Sequence, residues 1–166
     1  GDMSLLPKNV EYYNPLIKRH PYVSSETSRG CPGRCSFCTA PFMYGRRLRC
    51  WSKEKVIEEI EQRIKEGYKE IYYRDETFTT FKIRNVEICK EIINKRLDIT
   101  WLCNVRVGTV DRETLALMKK AGCHTIKTGV ESGVQEILDK SNKGIKVEQT
   151  TELFRWAKEI GIKTHA

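Results

Sequence analysis

Apolar residues along this chain recur in two alternating periods. Short runs of strand type give way to stripes spaced three and four residues apart, and the alternation repeats from residue 20 onward. "YVSSETS", Tyr22 to Ser28, reads as a first strand. "SKEKVIEEIEQRIKEG" follows as a helix with Val56, Ile57, Ile60 and Ile64 on one face, Ser52 as its N-cap and Gly67 as its stop. "EIYYRD", Glu70 to Asp75, is the second strand. Ile83, Val86, Cys89, Ile92 and Ile93 mark the second helix. "ITWLCNVRV" is the third strand, and Asp111 caps a helix carrying Leu115 and Met118 that ends at Ala121-Gly122. "HTIKTGVE" is the fourth strand. A crossover helix interrupted near Gly144 leads to "GIKTHA", the start of a fifth strand.

Strands alternating with helices imply right-handed βαβ units on a parallel sheet. Gly67, Gly122 and Gly161 sit where helices turn back into strands, as C-terminal caps do. A closed barrel of eight such units needs about 250 residues. These 166 residues supply four units and part of a fifth. The expected fold is therefore α/β, an incomplete TIM-type βα barrel over residues 22–166. Residues 1–21 form a lead-in or linker, and the chain is expected to be a fragment of a longer protein. Its last strand would expose an unpaired edge through which two fragments could dimerise.

Composition narrows the class. With 39% hydrophobic and 31% charged residues the chain is globular. No apolar run approaches the ~20 residues of a membrane span, so no membrane partner is expected. The formal net charge of +8 is read as solvated helix faces, because Lys and Arg interleave with Glu in stretches such as "KEKVIEEIEQRIKEGYKE". A nucleic-acid partner is not expected. Seven cysteines without a secretory signal suit a reducing, cytoplasmic setting. Cys50, Cys89, Cys103 and Cys123 are dispersed and read as small buried hydrophobes.

The other three stand together. "SRGCPGRCSFC" carries Cys31, Cys35 and Cys38 with spacing C-x₃-C-x₂-C in the loop after the first strand. In βα folds this is the carboxyl end of the sheet, where active sites gather. Thiolate-rich soft sites take an iron–sulfur cluster or zinc. No suitably spaced fourth Cys or His closes a structural zinc site, and a redox Cys35–Cys38 pair leaves Cys31 without a task. The iron–sulfur reading is preferred over both.

This loop, with an aromatic residue before its last cysteine, resembles the radical S-adenosylmethionine (radical SAM) superfamily. The resemblance runs from about Thr27 to Ala166. It implies a 4Fe–4S cluster on Cys31, Cys35 and Cys38, with the fourth iron left open for S-adenosylmethionine. It further implies reductive cleavage of that molecule to a 5′-deoxyadenosyl radical. Phe37 takes the position that lies against the adenine. "YYRDETFT" is similar to the acidic turn that meets the amino group, which puts Asp75, Glu76 and Thr77 there in place of the commoner Gly-Gly-Glu. "GVESG" resembles the ribose and methionine contact motif and offers Glu131 and Ser132. Simple N-capping is the plainer reading for each acidic residue alone. Arg106, on the face of Asn104 at the end of the third strand, either pairs with a carboxylate of S-adenosylmethionine or substrate, or forms an internal ion pair to Asp111 or Glu131. Arg46, Arg47 and Arg49 in "GRRLRC" either hold an anion or the cluster loop or, in the preferred reading, belong to a solvated loop. His20, His124 and His165 receive no role.

Taken together, "TSRGCPGRCSFC", "DETFT", "MKKAGCHTIKTGVESG" and "NKGI" look most like the cobalamin-associated branch that includes anaerobic magnesium-protoporphyrin cyclase relatives and radical methyltransferases. That likeness implies a small-molecule substrate, an electron donor such as a ferredoxin or flavodoxin, and cobalamin carried by a preceding domain. A methylthiotransferase-like enzyme acting on RNA or protein is the alternative. A non-catalytic metal-binding or interaction module is the alternative from another class.

Overall fold

The computed structural model describes residues 12–166, so residues 1–11 of the expected lead-in lie outside the described residues. Five parallel strands form one sheet in the order β1 (Tyr22–Ser25), β4 (Glu70–Tyr73), β5 (Thr100–Asn104), β6 (Cys123–Lys127) and β7 (Lys163–His165). The crossovers are α2 (Lys53–Lys65), α3 (Lys82–Asn94), α4 (Arg112–Lys120) and the pair α5 (Gln135–Lys140) and α6 (Val147–Ile160). Two further strands, β2 (Ser28–Arg29) and β3 (Arg49–Cys50), pair antiparallel as a separate hairpin, with the short helix α1 (Ala40–Tyr44) inside its loop.

Side chains alternate across the sheet with period two. Val23, Ile71, Tyr73, Trp101, Cys103 and Ile126 face the helices and join their apolar stripes in one core. Tyr73, Phe78 and Trp101 pack ring against ring at 5.2–5.8 Å, and Trp101 Nε1 donates to Ala121 O at 2.7 Å. Tyr72 and Leu102, equally buried, stand on the opposite face outside that core. Helix ends follow local chemistry. Ser52 accepts from Lys55 N and Asp111 from Thr114 N. Gly67, Gly122 and Gly161 all have positive φ.

Four expectations change. The first strand stops at Ser25, and Ser28 belongs to the β2–β3 hairpin, because the chain turns off the sheet where Arg74 N donates to Ser25 O. Ile83 is 79% exposed. The inward position of that turn belongs to Asn85, which is fully buried and donates to Phe78 O at 2.6 Å. Cys50 is only half-buried, whereas Cys89, Cys103 and Cys123 are buried as expected; burial pushes the Cys89 and Cys103 thiols well above their ordinary range.

His124, finally, has structural partners. Its Nε2 faces Glu70 Oε1 at 2.9 Å and its Nδ1 faces Thr125 Oγ1 at 2.8 Å. The Glu70 carboxylate also accepts from Thr100 Oγ1 and from the backbone N–H groups of Lys18 and Arg19. It thereby docks the lead-in at the amino end of the sheet, away from the cysteine loop. Among the described residues no helix is long and apolar enough to cross a membrane.

Candidate functional site

All five sheet strands point their carboxyl ends toward one cavity of about 440 Å³. The cysteine loop follows β1 and is built as an extended lobe. Ser28 and Arg29 pair with Cys50 and Arg49 at its base. Gly30, at φ 98°, turns the chain so tightly that a Cβ there would lie 2.3 Å from Arg47 O, a contact only glycine avoids. Cys31 N donates to Gly45 O, Arg46 Nη1 to Gly33 O at 2.8 Å, and Ser36 N to Ser141 O at 2.9 Å. Arg46 thus holds the cysteine loop, the alternative that the sequence set beside a solvated loop.

Cys31, Cys35 and Cys38 are free, half-buried, and line the cavity together. Among the described residues no three His, Cys, Asp or Glu side chains group around a single ion-sized point. The three thiols share a cavity wall instead. Arg106 Nη1 lies 3.5 Å from Cys35 Sγ and packs at 3.2 Å from where a Cβ on Gly33 would sit. It forms no ion pair with Asp111 or Glu131: Asp111 pairs with Lys82, and Glu131 with Lys143.

Of the acidic turn, Glu76 and Thr77 line the cavity and Asp75 does not. Asp75 is 1% exposed, and its carboxylate accepts from Thr27 N, Thr27 Oγ1 and Ser28 Oγ. It clamps the foot of the β2–β3 hairpin, assisted by Arg84 donating to Thr27 O and Trp51 O. Glu76 is placed differently. Burial pushes its carboxyl above the ordinary range, and its Oε2 is buried with no partner among the described residues. None of Asp75, Glu76 and Glu131 caps a helix through its side chain; Thr77 and Val134 occupy those N-cap positions.

Glu131 reaches the cavity from the loop after β6. It is a non-glycine residue at φ 63°, and its Oε1 lies 2.7 Å from Lys143 Nζ. Phe37 also lines the cavity, its ring centroid 5.8 Å from that same Nζ. Ser132 is absent from the lining and accepts instead from Val134 N at 3.0 Å.

Four lining residues escaped the reading by motif. Lys127 donates to Tyr72 OH at 2.9 Å. Thr128 is buried with its Oγ1 unpartnered among the described residues. Lys143 is 9% exposed at its side chain, and His165 closes the cavity from β7. Lys127, Thr128 and His165 stand at strand ends, so position alone marked them. Lys143 lay inside "NKGI", a stretch singled out without a residue being named from it.

Comparison with known proteins adds the lineage. The radical SAM superfamily pattern matches residues 25–166. An uncharacterized methyltransferase of Pyrococcus horikoshii is 40% identical over 137 residues, covering 82% of this chain and 30% of that protein. The anaerobic magnesium-protoporphyrin IX monomethyl ester cyclase of Rubrivivax gelatinosus is 32% identical, covering 99% of this chain and 30% of that one. In three dimensions the cobalamin-dependent S-adenosylmethionine radical enzyme OxsB, solved with aqua-cobalamin bound, superposes with a TM-score of 0.75 at 25% identity, covering 86% of this chain and 23% of OxsB. The chain spans about a third or less of the length of these relatives. Strand order, cysteine spacing and the match across 25–166 converge: the chain belongs to the radical SAM superfamily, whose cofactors are a 4Fe–4S cluster and S-adenosylmethionine.

Proposed function

We propose that this chain is the cluster- and S-adenosylmethionine-binding core of a cobalamin-associated radical enzyme that transfers a methyl group to a small-molecule substrate. One observation carries the reading. Three free cysteines, a buried carboxylate oxygen and a buried hydroxyl that have no partner among the described residues, and the cations Arg106, Lys127 and Lys143 border one cavity at the strand ends. The donor set fits an amino-acid sulfonium on an iron–sulfur cluster: soft thiolates for iron, a carboxylate for an ammonium, guanidinium and ammonium groups for a carboxylate.

In this reading Cys31, Cys35 and Cys38 hold the cluster, which when bound supplies the single electron that cleaves the sulfonium. The protein's own part is to bind and orient. Glu76 accepts from the amino group of S-adenosylmethionine, and Arg106 faces its carboxylate from beside Cys35. Phe37 offers an apolar face to the adenine. Glu131 accepts from the ribose while Lys143, 2.7 Å away, holds its carboxylate in place. Asp75 acts at one remove, fixing the hairpin that carries the cysteines. Methyl transfer and cobalamin enter through likeness to the Pyrococcus methyltransferase and to OxsB, and an external one-electron donor is the partner that the chemistry requires.

Anaerobic reconstitution with iron and sulfide tests the reading. The expected product is a brown protein with broad visible absorption that binds S-adenosylmethionine, and Cys35→Ala removes both properties. A colourless protein that binds a single zinc tightly and ignores S-adenosylmethionine overturns it.

A further inference from the structure

The cysteine lobe carries charge of one sign. From Thr27 to Ser52 there are five arginines (Arg29, Arg34, Arg46, Arg47 and Arg49) and no Asp or Glu, in a chain whose whole net charge is +8. This departs from the helices, where Lys and Arg alternate with Glu. All five arginines are exposed. Arg46 and Arg49 are tied to backbone carbonyls of the lobe, and Arg29 pairs with Glu26. The guanidinium groups of Arg34 and Arg47 make no hydrogen bond or ion pair among the described residues, so their charges are uncommitted.

Amid this charge stands an apolar projection. Helix α1 buries none of its residues; Phe42 is 91% exposed and Met43 70%. The projection is no stray loop. Gly45, just past α1, accepts from Cys31 N, and Arg49 donates to Tyr44 O. The exposed ring and thioether are thus coupled through two backbone contacts to the first cysteine and the β3 strand. A small apolar centre of aromatic and Met side chains with an arginine rim is the composition of a protein–protein contact. A nucleic-acid surface would instead need a groove lined by stacked rings along a basic track.

We propose that α1 and its arginine rim are the docking face for a small acidic redox protein, with Phe42 and Met43 inserted against the partner and Arg34 and Arg47 meeting its carboxylates. The inference rests on the iron–sulfur reading above and names the partner of that same site. The charge of the lobe selects an acidic surface, and its place selects a redox carrier. A carrier docked on α1 meets the lobe that holds Cys31, Cys35 and Cys38, whose cavity Ala40 of α1 also lines. From there a reduced carrier would supply one electron to the group held by these cysteines, itself being oxidised by one electron. Such encounters are small, transient and steered by charge, which suits a contact built on one short helix.

The test uses the reconstituted chain and oxidised flavodoxin, an acidic flavoprotein, as the probe in titration calorimetry. Binding is expected at low ionic strength and to weaken at least tenfold between about 50 and 300 mM salt. Arg47→Glu with Phe42→Ser is expected to weaken it by a further tenfold or more, leaving iron content and S-adenosylmethionine affinity unchanged. Reversal of an exposed helix charge, Lys120→Glu, is expected to leave the affinity within twofold. Three results overturn the proposal: no flavodoxin binding by a protein that holds cluster and S-adenosylmethionine normally; equal loss in Lys120→Glu; or capture of a single-stranded RNA 20-mer or of anionic phosphatidylserine vesicles by the same face in place of flavodoxin. A chain that takes up no cluster fails the iron–sulfur reading instead, and its iron assay shows that separately.

Discussion

Lys143 Nζ lies 2.7 Å from Glu131 Oε1, and the space for this pair exists because Gly129 has no side chain: a Cβ there would stand 2.2 Å from that oxygen and 2.8 Å from that nitrogen. Two residues twelve apart in sequence, from different loops, are thus held as one unit on the cavity wall beside Phe37. Glu131 is strained in the left-handed region, a conformation that persists where the surroundings over-determine it.

If the pair aims Glu131 at a ligand, its loss weakens binding more than folding. Lys143→Met is expected to lower S-adenosylmethionine affinity about tenfold, the scale of one charge-assisted contact, with the thermal midpoint shifted by only a few degrees. Titration calorimetry and a melting curve separate the two. A large drop in midpoint with unchanged affinity would make the pair a strut.

Glu76 carries a pH signature. Burial raises its carboxyl above the ordinary range, so in the empty site it protonates at higher pH than an exposed Glu, near 4.3. An ammonium ligand selects the ionised form. Affinity for S-adenosylmethionine should therefore be weakest at low pH, climb as pH rises through the raised value, and level off above it. The slope can reach at most about tenfold per pH unit for one proton. Glu76→Gln should flatten that climb and match the low-pH affinity throughout. An identical pH profile in Glu76→Gln would remove Glu76 from ligand contact.

Gly30 tests whether the lobe's shape governs cluster uptake. A Cβ at this position meets the Arg47 carbonyl at 2.3 Å on a backbone with φ of 98°, so Gly30→Ala must open the β2–β3 hairpin. The sheet and its helices do not depend on that contact. The expected variant folds with wild-type far-ultraviolet circular dichroism and loses most of its iron on desalting, while its loop becomes the first site of protease cleavage. Full iron retention would show that the lobe tolerates a wider turn.

Glu70 tests the opposite end of the sheet. Burial alone pushes its carboxyl up, but the bonds from His124, Thr100 and the Lys18 amide outweigh this and hold it below the ordinary range. A depressed carboxyl contributes stability that is present above its unfolded value, about 4.3, and is lost as pH falls through the folded value. Glu70→Ala leaves His124 Nε2 and the Lys18 and Arg19 amides without their Glu70 partner and is expected to cost about 3 kcal/mol, read as a shift in the urea midpoint at pH 7. The stability gap from wild type should narrow as pH is lowered below 4.3. Cluster binding by the folded fraction should be unchanged, because this site lies at the amino end of the sheet.

Much of this architecture was legible in the chain because its signals are local. Hydrophobic period marks each βα unit, since a helix buries every third or fourth residue and a strand every second. Ser52 and Asp111 cap helices through bonds to residues three positions on, and Gly67, Gly122 and Gly161 relieve turns within their own neighbours. The spacing of Cys31, Cys35 and Cys38 is likewise a property of eight consecutive residues.

What remained hidden depended on contacts between residues far apart in sequence. The helical stripe placed Ile83 inward, yet the 3₁₀ turn at Phe78–Thr80 presents a carbonyl that buries Asn85 instead. Asp75 carries the same charge as its neighbour Glu76. Only the fold of β2 against β3, 48 positions from Asp75 at Thr27, shows that one carboxylate is consumed in the scaffold while the other faces the cavity. Lys127, Thr128, Lys143 and His165 join the site because parallel pairing brings five strand ends to one rim. The sequence by itself determined the elements and the chemistry of the cysteine loop, because those rest on residues within a turn of one another. Which charged groups meet that loop was decided by tertiary structure, because a parallel sheet gathers at its carboxyl edge residues that the intervening helices keep far apart along the chain.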